Sequence, residues 1–179
     1  MTVPSDPTSQ ADQMLEGLAV GRLWTGRGIP AFPIALAHDP TKYDGEGGIE
    51  KRPLTLHGHL DSTLDQQQLE RLFTEARPRH DEIIACGLYP GGANYVVADI
   101  DIKNGKNGLA VADQLGLLDT WGSTTASGGQ HRWFRRPDHL RIGNASPWAE
   151  HGIDIRGDDG WVVAPGTVTP WGAWIRIDD

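Results

Sequence analysis

Asp99 and Asp101 stand two residues apart in the stretch NYVVADIDIKNG, residues 94–105. In an extended chain, residues i and i+2 project from the same face, so both carboxylates point one way while Ile100 and Ile102 point the other. Two like charges held side by side are unfavourable unless a cation lies between them. A third carboxylate, Asp154 in GIDIRG, is flanked by Ile153 and Ile155 and shares its strand face with Arg156. In TASGGQHRWF, Ser127, Gly128 and Gly129 form a tight turn ahead of His131. Paired glycines allow close approach of a backbone to a ligand and present N–H groups to an anion. His131 and Arg135 then share one face of the strand that follows.

Two other metal motifs compete for these residue types. DIDIKNG resembles the opening of an EF-hand loop, but its sixth residue is Asn104 where glycine is required, and the twelfth is Ala110 where a bidentate glutamate is required. LHGHLDST sets His57, His59 and Asp61 at alternate positions, as in the metal loop of metallo-hydrolases. That pattern needs a histidine after the aspartate, and Ser62 stands there. His80, His139 and His151 are scattered, so the triplet reads as turn residues, with a metal-dependent phosphoesterase or hydrolase as the alternative function.

The elements that must position these groups follow from pattern. Residues 1–12 read as a disordered leader, with Ser9 and Asp12 resembling a capping box. Met14, Leu15 and Leu18 give helical spacing, closed by Gly26 and Gly28. IPAFPIAL is a short strand whose prolines suit an edge, and AHDPTKYDGEGGIEKRP is a loop. Thr63 with Gln66 suggests a second capping box before a helix whose apolar face is Leu69, Leu72, Phe73 and Ala76. EIIACGLY and YVVADIDI are strands, and NGLAVADQLGLL is a helix. STTASGGQHRWFRR is strand, glycine turn, strand. HGIDIRG and GWVVAPGTV flank DDG as a hairpin, and AWIRIDD is a last strand. The sum is an α+β fold with a mixed or antiparallel sheet.

Composition narrows the class. The chain has 179 residues, 38% hydrophobic, enough for one domain or two small modules sharing a core. No apolar run approaches the roughly 20 residues of a membrane span, and the N-terminus lacks the plan of a secretory signal. The single cysteine, Cys86, excludes an internal disulfide and a multi-cysteine zinc site, and its apolar setting makes it a buried hydrophobe. A cytoplasmic protein fits these features. A net charge of −8 argues against a general nucleic-acid coat. Local basic clusters remain: Lys51 with Arg52, and Arg132, Arg135, Arg136 and Arg141 against Asp138. Most tryptophans fall in the second half and serve best as core.

The order ADIDI, TASGGQHRWF, GIDIRGDDGWVVAPGTV resembles the primase–polymerase domain of the archaeo-eukaryotic primase superfamily, as found at the N-termini of plasmid and phage replication proteins. GIPAFPI, KRP and LDST ahead of a helix agree with that family's beginning, so the resemblance spans about Gly17 to Ile175. It implies a small α/β module and an RRM-like sheet module with the active site in the cleft between them, forming one catalytic domain over residues 13–179. It implies Asp99, Asp101 and Asp154 as catalytic acids that bind two Mg²⁺ or Mn²⁺ ions; many relatives have glutamate where Asp101 stands. Hard cations take carboxylate oxygens. It further implies Ser127, Gly128, Gly129 and His131 at the incoming nucleotide. Arg132, Arg156 and Lys51 complete the candidate nucleotide site as phosphate partners. The implied partners are a single-stranded DNA template and primer, nucleoside triphosphates and, in a longer protein, a helicase domain; no membrane is involved. The implied reaction is template-dependent nucleotide joining, with an inactive nucleic-acid-binding module as the other class.

Overall fold

The computed structural model describes residues 9–42 and 47–177. Most of the expected leader, residues 1–8, lies outside them. The first helix, α1 (Gln10–Thr25), is capped by Ser9, whose Oγ accepts from the Asp12 backbone N–H, so its first turn takes in residues that the expected leader covers. Its buried face is Gly17, Leu18, Gly21, Trp24 and Thr25, while Leu15 is exposed. A Cβ at Gly17 would come within 2.8 Å of the Phe73 ring, so this helix packs at a distance that only glycine allows.

Strands β1 (Ala31–Asp39), β2 (Gly48–Pro53), β3 (Ile83–Leu88) and β9 (Val162–Val163) form a first sheet in the order β2-β1-β3-β9. Two expectations change here. The stretch before Lys51, expected as loop, ends in β2, paired with β1 from Asp39–Gly48 to Ile34–Pro53. And β1 is an interior strand, not an edge. Pro33 is tolerated because N–H groups alternate sides: Ala31 N–H goes to Thr63 O, so the Pro33 nitrogen faces the same side, where the β1–β2 ladder has already ended at Pro53.

Helix α2 (Gln66–Glu75) starts at Asp65, whose carboxylate accepts from Gln68 N–H; Thr63 instead bonds the Gln68 side chain. Leu69 and Phe73 are fully buried with Leu18, Trp24 and Cys86, each such side chain contributing roughly 1.5–3 kcal/mol. Cys86 is sealed, and burial pushes its thiol far above the ordinary range, as expected of a packing residue.

The second sheet runs β12-β5-β6-β4-β8-β7. Its members are β4 (Tyr95–Ile100), β5 (Gly122–Thr124), β6 (Gln130–Arg135), β7 (Ala145–Trp148), β8 (Ile153–Arg156) and β12 (Arg176–Ile177). Helix α3 (Gly108–Gln114) covers one face through Ala112 against Ala98, Ile100 and Ile153. A small hairpin joins β10 (Val168–Thr169) and β11 (Gly172–Ala173). All pairings are antiparallel, giving the expected α+β fold.

The expected β8–β9 hairpin does not form. β8 pairs with β4 and β7, whereas β9 pairs with β3, so residues 157–161 cross from one sheet to the other. The turn signal in DDG is overridden because Asp158 is engaged elsewhere, accepting from Ile142 N–H and pairing with Arg136. The modules share a core: Trp24 of α1 stacks on Trp121 at 5.7 Å, and Trp121 on Trp133 of β6 at 4.8 Å. Such pairs contribute about 0.5–1.5 kcal/mol beyond area burial.

Candidate active site

Four neighbouring strands of the second sheet place Ser123, His131, Asp99 and Asp154 in one row, through the register pairs Ser123–His131, Asp99–His131 and Asp99–Asp154. Alternation puts Val97, Trp133 and Arg156 on the same face, turned away from α3. Opposed carboxylates on adjacent strands repel. Here Arg156 reaches between them: its Nη2 lies 2.8 Å from Asp154 and 3.3 Å from Asp99. On the other side, His131 Nε2 is 3.4 Å from Asp99. Burial pushes the Asp99 carboxyl up. The hydrogen bond and charge of His131, with the charges of Lys51 and Arg156, outweigh it and hold Asp99 well below the ordinary carboxylate range.

Asp101 follows on the same register. β4 ends at Ile100, and Asp101 lies just past it with its N–H on Gly152 O at 2.7 Å. Burial first, then the Asp99 charge, raise its carboxyl above the usual value despite Lys51, Lys103 and Lys106. It therefore feels Asp99 without sharing its ion pairs.

A cavity of about 280 Å³ opens over this row. Asp99, His131 and Arg156 form one wall, Lys51 and His59 belong to the first module, and Asn144 with residues 159–161 of the crossing segment and Val162 of β9 complete it. The cavity thus lies between the two modules. The structure brings Lys51, Asp99, Asp154, His131 and Arg156 together.

The other expected nucleotide ligands lie elsewhere. Ser127, Gly128 and Gly129 form the β5–β6 turn, closed by Thr125 N–H to Gly129 O, and do not line the cavity. The turn itself requires both glycines: Gly128 has φ +84°, and a Cβ at Gly129 would fall 2.3 Å from Ile100 O. Arg132 is one residue off the face that carries His131 and Asp99, so alternation sends it to the opposite side. There it donates to Gln130 Oε1 and Thr120 O. Arg136 and Arg141 are taken up by Asp158 and Asp159, and Arg135 lies over Tyr95. Most of the second basic cluster is architecture.

The rival histidine motif comes apart. His57 backbone N–H and Nδ1 both meet the Asp61 carboxylate, at 2.7 and 2.9 Å, while the His59 ring packs against Tyr89. Sequence reasoning missed His59 as a cavity residue, along with Asn144 and the crossing segment; no local pattern reveals a crossing that depends on which sheet β9 joins.

Among the described residues, no three His, Cys, Asp or Glu side chains converge closely enough to hold an ion as they stand. The chemistry of the donor set nonetheless fits a hard cation, because the donors are carboxylate oxygens: Asp99 and Asp154 face each other across the Arg156 guanidinium, and Asp101 lies close enough to feel the Asp99 charge.

The family described as bifunctional DNA primase/polymerase, N-terminal, matches residues 22–178, nearly the whole chain. The chain belongs to the primase–polymerase family. Membership brings primase/polymerase-type nucleotidyl transfer, DNA and nucleotide substrates, and the family's general use of divalent metals. No curated protein matches the sequence. Among the described residues no helix is long and apolar enough to cross a membrane.

Proposed function

We propose that the row on the second sheet joins nucleotides on a DNA template, releasing pyrophosphate, in replication of the plasmid or phage type. The observation that carries this reading is the pair of opposed carboxylates, Asp99 and Asp154, bridged by Arg156, with Asp99 and Arg156 lining a cavity that both modules wall. Asp99, Asp154 and Asp101 would hold two Mg²⁺ or Mn²⁺ ions, which when bound activate a 3′-hydroxyl and neutralise the triphosphate. The acids admit such ions once Arg156 swings out of their bridge, and its guanidinium is then released toward phosphate. His131, sealed at 1% exposure, keeps Asp99 ionised and oriented through Nε2. Lys51, exposed on the opposite wall, draws the triphosphate into the cavity. Residues 13–179 act as one catalytic domain, with single-stranded template and primer entering between the modules and a helicase following in a longer protein. Cytoplasmic placement accords with these roles.

The Arg156 bridge also favours a second reading, an inactive module that binds nucleic acid and keeps its acids permanently paired. Incorporation of a labelled nucleotide on a primed template decides between them. The proposal expects incorporation that requires added Mg²⁺ or Mn²⁺ and is lost in Asp99→Asn; binding of the template without incorporation overturns it.

A further inference from the structure

His57 and His59 look equivalent in the sequence, yet the fold gives them opposite situations. His57 is satisfied within its own turn by Asp61, and its side chain is 65% exposed. His59 is among the residues that line the cavity; its Nε2 is sealed from solvent and has no hydrogen-bond partner among the described residues. A buried polar atom left without a partner costs free energy that folding alone does not recover. The position is also braced. The His59 ring rests on Tyr89 with centroids 4.8 Å apart, and the Tyr89 hydroxyl donates to Asp158 O on the segment that crosses between the sheets. That same segment continues into the cavity wall. A ring on the cavity wall beside Lys51, carrying a nitrogen without a partner, needs only to turn about its side-chain torsions to meet an anionic ligand.

We infer that His59 is a further substrate-binding residue: its Nε2–H donates to a phosphate oxygen of the incoming nucleoside triphosphate, from the wall opposite Asp99. The inference rests on the reading of this cavity as the nucleotide site. It divides the labour of the site between modules, with the second sheet holding the reacting end and the His59 turn holding the phosphate chain. Nucleotide binding then draws the two modules onto one ligand.

Equilibrium binding of a fluorescent deoxynucleoside triphosphate, with inorganic triphosphate as competitor, tests it. His59→Phe keeps a ring against Tyr89 and removes the nitrogen. It is expected to weaken both the nucleotide and inorganic triphosphate by about tenfold. His59→Gln, which retains a donor, restores most of the affinity, and His57→Ala leaves both unchanged. Parental affinity in both His59→Phe and His59→Ala overturns the inference while leaving the nucleotide site intact. Loss of nucleotide affinity with inorganic triphosphate unaffected also overturns it, since the contact is then to base or sugar. A parental protein that binds neither ligand overturns the reading of the cavity itself.

Discussion

Glu82, buried, and Asp99, half-buried, are both carboxylates facing arginine, one on each sheet's side of the molecule. Glu82, with a side chain 7% exposed, meets Arg52 Nε at 3.1 Å and Nη2 at 2.5 Å, and accepts from Arg79 N–H at 2.7 Å. The Arg79 guanidinium stands further off at 4.0 Å, and among the described residues Arg52 has no second carboxylate to serve. Asp99 meets Arg156 at 3.3 Å and His131 at 3.4 Å, and Arg156 makes its closer contact with Asp154. The first is a closed clamp and the second an open one facing a cavity. A clamp that only stabilises gains from short, exclusive contacts. A pair of acids sharing one cation at longer range can exchange it. The difference separates architecture from chemistry better than burial or pKa direction does, because both carboxyls are held below the ordinary range.

The largest effect expected is on activity. Asp99→Asn and Asp154→Asn should each lower nucleotide incorporation on the order of 10³-fold, about 4 kcal/mol of barrier. Glu82→Gln should leave the turnover rate near parental. Primer extension under saturating nucleotide measures all three, and loss in Glu82→Gln with retention in Asp99→Asn would reverse the assignment of the two clamps.

Next comes stability. Glu82→Gln leaves Arg52 partly buried without its partner and should cost about 2 kcal/mol after allowance for the exposure of the arginine. Arg156→Gln strips the shared cation from two facing acids at a more open site and should cost about 1 kcal/mol in metal-free buffer. Thermal melts in chelator rank the two.

Acid should expose both clamps. The folded-state carboxyls of Glu82 and Asp99 lie below their ordinary values of 4.5 and 3.8, so each contributes stability in full above that value and loses it as pH falls below it. Melting temperature should therefore drop steadily from about those values downward, and Glu82→Gln should remove the upper part of the drop. A Glu82→Gln curve that parallels the parental one would show that this carboxyl does not drive acid unfolding. The smallest effect belongs to Asp101, whose raised carboxyl makes its ionised form a cost at neutral pH. Asp101→Asn should raise the metal-free melting temperature slightly, and a fall would show that its charge is already paired.

Much of this was legible in the sequence where the signal is local. The alternation in YVVADI fixes which side chains share the Asp99 face, and the glycine pair before His131 marks a hairpin because Gly128 needs a positive φ. The same alternation excludes Arg132 from the cleft, although its charge suggested otherwise. What stayed hidden is set by long-range pairing. The interior place of β1 despite Pro33 depends on where the β2 ladder stops, and the crossing after Arg156 depends on β9 choosing β3. Asp101, by contrast, follows the last residue of β4 and continues the register onto Gly152, as the DIDI alternation suggests. His59 became visible as a cavity residue only when the fold set its turn against Tyr89 and the cavity.

The most direct test of the open-clamp account is a thermal melt with and without Mn²⁺ for the parental protein, Asp99→Asn and Glu82→Gln. At Mn²⁺ well above its dissociation constant, binding to the folded state alone stabilises by about 2–3 kcal/mol, a rise on the order of 5 °C for a chain of this size. The account predicts that rise in the parental protein and in Glu82→Gln, and its loss in Asp99→Asn. An undiminished rise in Asp99→Asn, or no rise in the parental protein, would contradict it and leave Arg156 as the permanent partner of these acids.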